Sequence, residues 1–433
     1  MSRFLFATMP AVGHTVPALP IAQALVERGH SVRWYAGVAF ADQIAAVGAT
    51  YCPMSADDYS VSSLDDYYPE RREHRGLRKL QFDMVTGFAK PVPGQVADLR
   101  ALLAEEPADV VVGDTGFLGG PLLQELGGPP FAAFGISVVG FPSRDLPPFG
   151  LGFAPQSGPL GRVRDKLLST FMRSVLFRPM AVEVNRIRHE LGLAPTKATV
   201  FEYPGESKLY LQLGAESFEY SRTDLPEQVR YVGPPRPLAD PTWQPPAWWP
   251  ELQYVRDVVL VNQGTVATAS DQLLRPSLEA LGGTDVLVVA VTGGPDPAVL
   301  GPLPSNARVE RYIPFDRLLP YVDVFVTNGG FGGVQLALSH GVPIVAAGKT
   351  EDKAEVSARV AYSGVGVNLR TQTPSAEQVG QAVSEVLDHP RYGRRAREVQ
   401  TEIALAGREQ SAAALLEQLA RTGAVAESAL SAH

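Results

Sequence analysis

The sequence carries a single cysteine, Cys52, in 433 residues. That excludes a disulfide framework and any cysteine-built metal site. Charge is scarce as well, at 19% of residues, and its balance is acidic, −8 at pH 7. A chain of that sign lacks the electrostatic footprint for nucleic acid or anionic membranes, so neither is expected as a partner. No run approaches about 18 uninterrupted apolar residues, so no membrane span is expected. MSRFLFATMP reaches Gly-His-Thr without the apolar core or cleavage site of a signal peptide. These absences lead to the expectation of a cytoplasmic, soluble protein, monomer or homodimer. Asp-x-Asp is missing too, no two histidines have metal-ligand spacing, and G-x-x-x-x-G-K-[ST] does not occur.

What is present is an α/β rhythm, stated twice. RFLFAT, SVRWYAG, ATYCPM, DVVVGD and PFAAFGIS are short apolar runs separated by helical segments. Several have no polar side, which suits parallel strands covered on both faces. Between the first two lies VPALPIAQALVERG, with Pro17 in its first turn and Gly29 at its end. The segment 231–253 holds seven prolines and reads as a semi-rigid linker. After it the rhythm resumes with VVLVNQG, TDVLVVAVTGG, RVERYIP, DVFVTNGG, PIVAAG and VGVNL, and residues 375–422 are nearly all helical. The length exceeds one hydrophobic core. The expected organisation is a first α/β domain over 1–230, the linker 231–253, a second domain over 254–410, and a helix and tail over 411–433. Two parallel sheets joined by a hinge place a cleft at the carboxyl ends of their strands, where open α/β sheets bind ligands.

TNGGFGGVQLALSHGVPIV (327–345) follows a strand and opens a helix. Four glycines among residues 329–333 let the backbone approach a ligand, and the helix start offers free N–H groups and a positive dipole end. Phosphate or pyrophosphate is the natural guest; a tight turn that needs glycine for packing alone is the alternative. The dinucleotide pattern G-x-G-x-x-G fails, because Gln335 stands where its last glycine belongs. Asn262-Gln263-Gly264-Thr265 ends another apolar strand and offers further N–H and hydroxyl donors.

Strand, Thr-x-Gly-Gly-x-Gly, helix, then Ala-Leu-x-x-Gly-Val-Pro and an acidic residue about ten positions on resembles the donor signature of glycosyltransferases that use nucleotide sugars on small lipophilic acceptors. These are the family 1 transferases of GT-B fold, which include the macrolide, polyketide and flavonoid transferases. Gly13-His14 with Pro17 resembles the catalytic turn of that family, and Ala108-Asp109-Val110 through Asp114 the segment supplying its acidic partner. Gly264-Thr265 is similar to the phosphate-contacting strand end, Tyr312-Ile313-Pro314 to the base-binding edge, and the last helices to those that cross back onto the first domain. The resemblance implies two Rossmann-like domains facing a cleft, and an inverting, metal-independent transfer of a sugar from a dTDP- or UDP-sugar, with no cofactor beyond that donor. His14 would be the general base and Asp114 its orienting partner. Donor contacts would come from Gly264, Thr265, Tyr312, Ile313, Asn328, Gly329, Gly330, Phe331, Gly332, Gly333, Gln335, Asp352 and Lys353.

The chemistry fits those residue types. Transfer to a hydroxyl requires its proton to leave as the new bond forms, and imidazole titrates near neutral pH. A carboxylate on the other ring nitrogen fixes the tautomer. Read without the resemblance, the lesser alternatives are a capping turn histidine for His14 and, for Asp114, an N-cap of a helix starting near Phe117. Relatives usually carry His at Asn328, a ribose-binding Glu at Leu336 and a Gln at Lys353. The Asn328 amide is still expected to donate to phosphate, and a less polar ribose site suits a deoxynucleotide. The acceptor walls are expected among Met84, Phe88, Phe117, Phe134, Phe141, Phe149 and Phe153, a set that suits a polyketide, macrolide or aromatic acceptor. The competing readings are a sugar-nucleotide epimerase or hydrolase of the same fold, and a non-catalytic relative that binds ligand or activates a partner transferase.

Overall fold

A computed structural model describes residues 1–55, 57–156, 158–198, 202–264 and 272–424. The first sheet contains β1 (Arg3–Ala7), β2 (Ser31–Ala36), β3 (Thr50–Pro53), β4 (Val110–Asp114), β5 (Phe131–Gly135), β6 (Leu209–Gln212) and β7 (Val229–Tyr231). The second contains β8 (Val258–Asn262), β9 (Leu287–Val291), β10 (Ala307–Glu310), β11 (Val324–Thr327), β12 (Ile344–Ala346) and β13 (Gly366–Asn368). Every pairing is parallel, in the orders β3-β2-β1-β4-β5-β6-β7 and β10-β9-β8-β11-β12-β13.

The uniform apolarity of the strands follows from burial on both faces. Side chains alternate along β1. Phe4 and Phe6 enter one core with Trp34, while Leu5 and Ala7 enter the opposite one with Tyr35 and Val111. The helix Leu19–Glu27 seals the first of these cores with Leu19, Ile21, Ala22 and Leu25. It stops at Gly29, whose φ of +83° is comfortable only for glycine.

The strand order reverses direction of growth at β1/β4 in one sheet and at β8/β11 in the other. Such switch points open a crevice beyond the carboxyl ends of the two central strands. Register carries the chain ends there: Ala7 pairs Gly113, and Asn262 pairs Thr327.

The proline-rich segment is anchored at both ends. Tyr231 finishes β7, Trp249–Gln253 makes a single helical turn, and Trp243, Trp248 and Trp249 pack on the second domain's core. At the end of the chain the helix Arg408–Thr422 returns to the first domain and lies against Leu19–Glu27. Ala412, Ala413, Leu416 and Leu419 are fully buried there. Arg28 reaches the Gln410 carbonyl at 2.9 Å and Glu417 at 3.2 Å, and His30 meets Glu417 at 2.8 Å. Leu416→Ala is expected to cost about 2–5 kcal/mol of stability, as a buried leucine truncation does. Urea unfolding checks it; an unchanged midpoint would mean the helix contributes nothing to the first domain. Among the described residues, no helix is long and apolar enough to cross a membrane.

Candidate active site

Four residues beyond β1, Thr8, Met9, Pro10 and Ala11, lead into a single helical turn, Val12–Thr15, that carries His14. Thr15 pins this turn, donating to the Met9 carbonyl at 3.1 Å and lying 3.1 Å from the Thr8 hydroxyl, to which the Trp34 indole donates at 3.0 Å. Asp114 ends β4, the neighbouring strand. Its Oδ1 lies 2.6 Å from His14 Nδ1 and also accepts the Gly116 N–H at 2.7 Å. Its Oδ2 accepts the Met9 N–H at 2.9 Å. Both carboxylate oxygens also accept from amides, so Asp114 acts as an acceptor toward Nδ1, and a neutral ring held this way carries its lone pair on Nε2. The carboxylate is fully buried, whereas the imidazole remains 22% exposed.

Neither capping reading describes the geometry. The helix beyond β4 starts at Gly119 with Leu118 as its cap residue and no side-chain cap, so Asp114 is not its N-cap. The His14 ring is engaged by Asp114 across 100 residues of sequence rather than by its own turn. Gly116 is part of this arrangement and carries no mark in the sequence. A Cβ there would sit 2.9 Å from the Phe88 ring and 3.0 Å from both Asp114 Oδ1 and His14 Cε1.

The glycine turn lies at the other switch point. Gly330 leads into the helix Phe331–Leu338, whose first N–H groups have no partner within the helix. Gly329 has φ +83°, and a Cβ would lie 2.6 Å from Ser357 Oγ. Gly332 faces open space, and Gly333 borders Phe325 loosely.

Several donor residues expected from sequence are placed otherwise. The Asn328 amide does not face outward; it is buried and donates to the Gln263 carbonyl, with Oδ1 accepting from Gly330 N–H at 3.3 Å. It ties the ends of β8 and β11 together, because the register sets Gln263 and Asn328 side by side. Gly264, at φ +95°, would place a Cβ 2.6 Å from that amide. Gln335 is fully buried and accepts the Ala215 N–H at 3.1 Å, which makes it a strut between domains rather than a donor contact. Phe331 packs the same seam, its ring 2.9 Å from where Gly214 would carry a Cβ. Ile313 is core, while Tyr312 beside it is exposed. Asp352 accepts from the Ser137 hydroxyl across the cleft, and burial pushes its carboxyl above the ordinary range against that hydrogen bond. Lys353 is buried and pairs with Glu351. Thr265 lies outside the described residues.

The acceptor candidates also divide. Phe88 stands 6.4 Å from the His14 ring, and Met84 packs in the same cluster with Met172 and Phe177. Phe117 and Phe134 are core residues, one against Tyr35 and the other in the core sealed by Leu416, so neither is a wall. Phe141 packs on Tyr210 at 4.9 Å, and Phe153 is exposed beside Arg164. Phe149 lines a cavity of about 500 Å³, floored by Leu146, Met172 and Phe177. Its walls come from two neighbouring segments, 140–149 and 162–177, of which only Phe149 is expected from the sequence.

Residues 275–419 match the family model described as the C-terminal domain of erythromycin biosynthesis protein CIII-like proteins. The chain is 44% identical over 397 residues to 4'-demethylrebeccamycin synthase of Lentzea aerocolonigenes, covering 90% of this chain and 93% of that protein. It is 36% identical over 429 residues to UDP-glucosyltransferase 1 of Beauveria bassiana (strain ARSEF 2860), covering 91% of this chain and 90% of the relative. Among solved structures, CalG4, the calicheamicin glycosyltransferase, superposes with a TM-score of 0.75 at 24% identity, covering 98% of this chain and 99% of the other.

Proposed function

Because the chain belongs to the family 1 glycosyltransferases of GT-B fold and natural-product type, and is an enzyme that draws its sugar from a nucleotide donor, we propose a specific transfer: a sugar from dTDP to a hydroxyl of an apolar small molecule, with inversion. His14 Nε2 takes the proton of the acceptor hydroxyl. The acceptor oxygen forms its bond to the anomeric carbon while the bond from that carbon to the diphosphate oxygen breaks. A single displacement from the face opposite the leaving group inverts the centre. Asp114 holds the ring and balances the imidazolium as it forms. Negative charge accumulates on the departing diphosphate, and the free N–H groups and dipole at the start of Phe331–Leu338 stabilise it. No step calls for a metal.

The observation that carries this reading is the 2.6 Å hydrogen bond between His14 and an Asp114 carboxylate whose oxygens are otherwise filled by amides. It leaves one ring nitrogen free for a proton, which a binding module has no use for. Leu146, Met172 and Phe177, which line the cavity with Phe149, support an acceptor with an apolar body, of polyketide, macrolide or aromatic type. The resemblance aligns Leu336 with the ribose-binding Glu of relatives, and a leucine there favours thymidine over uridine.

Thermal shift without acceptor tests the donor half. A ligand at 100 times its Kd stabilises the fold by about 2.7 kcal/mol. The midpoint should rise most with dTDP, less with UDP, and not with GDP or ADP. A larger rise with UDP would overturn the thymidine assignment, and no rise with any nucleotide would overturn the donor site.

A further inference from the structure

Three buried charges sit where the domains meet, and neither the dyad nor the glycine turn uses them. Arg359, on the helix Lys353–Tyr362, pairs with Glu219 at 2.6 Å and with Glu355 at 2.8 Å, and its guanidinium lies 4.1 Å from the centre of the Tyr220 ring. All three charged residues are at most 9% exposed. Each carboxylate spends its second oxygen on first-domain backbone. Glu219 Oε1 accepts the Val139 N–H at 2.9 Å. Glu355 Oε1 accepts two, from Gly150 at 2.8 Å and Gly152 at 2.7 Å. Gly152, at φ +63°, lies so close to the helix that a Cβ would be 2.8 Å from the Ala354 carbonyl. The loop gripped in this way runs through Pro148 and Phe149, which wall the 500 Å³ cavity.

The same helix touches the glycine turn. Ser357 Oγ lies 2.6 Å, and the Lys353 carbonyl 3.4 Å, from where a Cβ of Gly329 would stand. One rigid turn of helix therefore meets the phosphate-side loop through Lys353 and Ser357 and the acceptor-side loop through Glu355. A buried carboxylate stripped of its partners is strongly disfavoured, so the cluster ties this helix to the first-domain segments it grips.

Building on the donor site proposed above, we propose that Glu355 is a positioning residue that makes the shape of the acceptor cavity depend on occupancy of the glycine turn. Nucleotide in the turn holds the helix, and Glu355 then holds Gly150, Gly152 and the cavity wall between them and Met172.

Hydrogen exchange read by mass spectrometry on the full chain, with dTDP and separately with UDP as probes, tests this. In the wild type, nucleotide should slow exchange over 328–335 and, by about fivefold or more, over 146–153, the range expected of a real coupling. Two variants break the link differently. Glu355→Gln sets an amide against Arg359, and Gly152→Ala pushes the loop off Ala354 while leaving every charge in place. In either, nucleotide should still slow 328–335 but leave 146–153 nearly unchanged. If 146–153 responds in both folded variants as in the wild type, or fails to respond in the wild type while 328–335 does, the coupling is overturned. Silence at 328–335 with both nucleotides would instead overturn the donor site, and the coupling with it.

Discussion

His14→Ala should lower the turnover of sugar transfer by about 10²–10⁴-fold, the range a positioned general base contributes. It should leave the affinity for nucleoside diphosphate within about twofold, because the ring lies at the β1/β4 switch point and the glycine turn at β8/β11. Steady-state kinetics with nucleotide binding measured on the same samples separates the two effects. A variant that keeps normal turnover would remove His14 from the mechanism. Asp114 is a poorer first target, because its loss also strands the amides of Met9 and Gly116 inside the protein.

The second large effect is expected at a residue with no side chain. Gly116→Ala places a methyl 2.9 Å from Phe88 and 3.0 Å from both members of the dyad. Asp114 is held by two amides and cannot retreat, which leaves the His14 ring as the partner that yields. The imidazole has to swing, and a displacement of about 1 Å at a reacting group costs on the order of 10²-fold in rate. Turnover should fall about that far, with the unfolding midpoint moving little. Full activity in Gly116→Ala would mean that the dyad geometry tolerates more play than its hydrogen bonds imply.

Much of the fold is legible in strands such as RFLFA, VVVGD, VVLVN and LVVAV, because strands buried on both faces lose the polar alternation that would blur them. LYLQ and VRY escape notice: they are short, lie toward one edge of the first sheet, and end or begin among polar residues. The dyad residues are legible by type and position in their motifs, but their meeting is not, since it depends on β1 and β4 being neighbours with Ala7 opposite Gly113. Asn328, Gln335 and Ile313 lie in motif stretches, yet their side chains are buried among the protein's own groups. A motif marks which backbone stretch approaches the ligand and says nothing about which side chains of that stretch turn inward. The Glu355–Arg359 pair is the sharpest case. At i,i+4 on a helix it has the spacing of an ordinary solvent-facing ion pair, and only the first domain's arrival buries it.

The returning helix has a consequence for how the protein comes into being. Arg28 and Glu417 are 389 residues apart in sequence, and Leu416 and Leu419 complete a core begun by Phe4 and Phe6. During synthesis the amino-terminal half emerges with that surface bare, and it stays bare until residue 422 has cleared the ribosome. Contacts of such range are slow to close, and nascent chains with uncovered apolar faces are the ones chaperones hold and proteases find. Chains that stop early, even just short of Arg408, would carry every residue of the dyad and the glycine turn and still be cleared as unfinished.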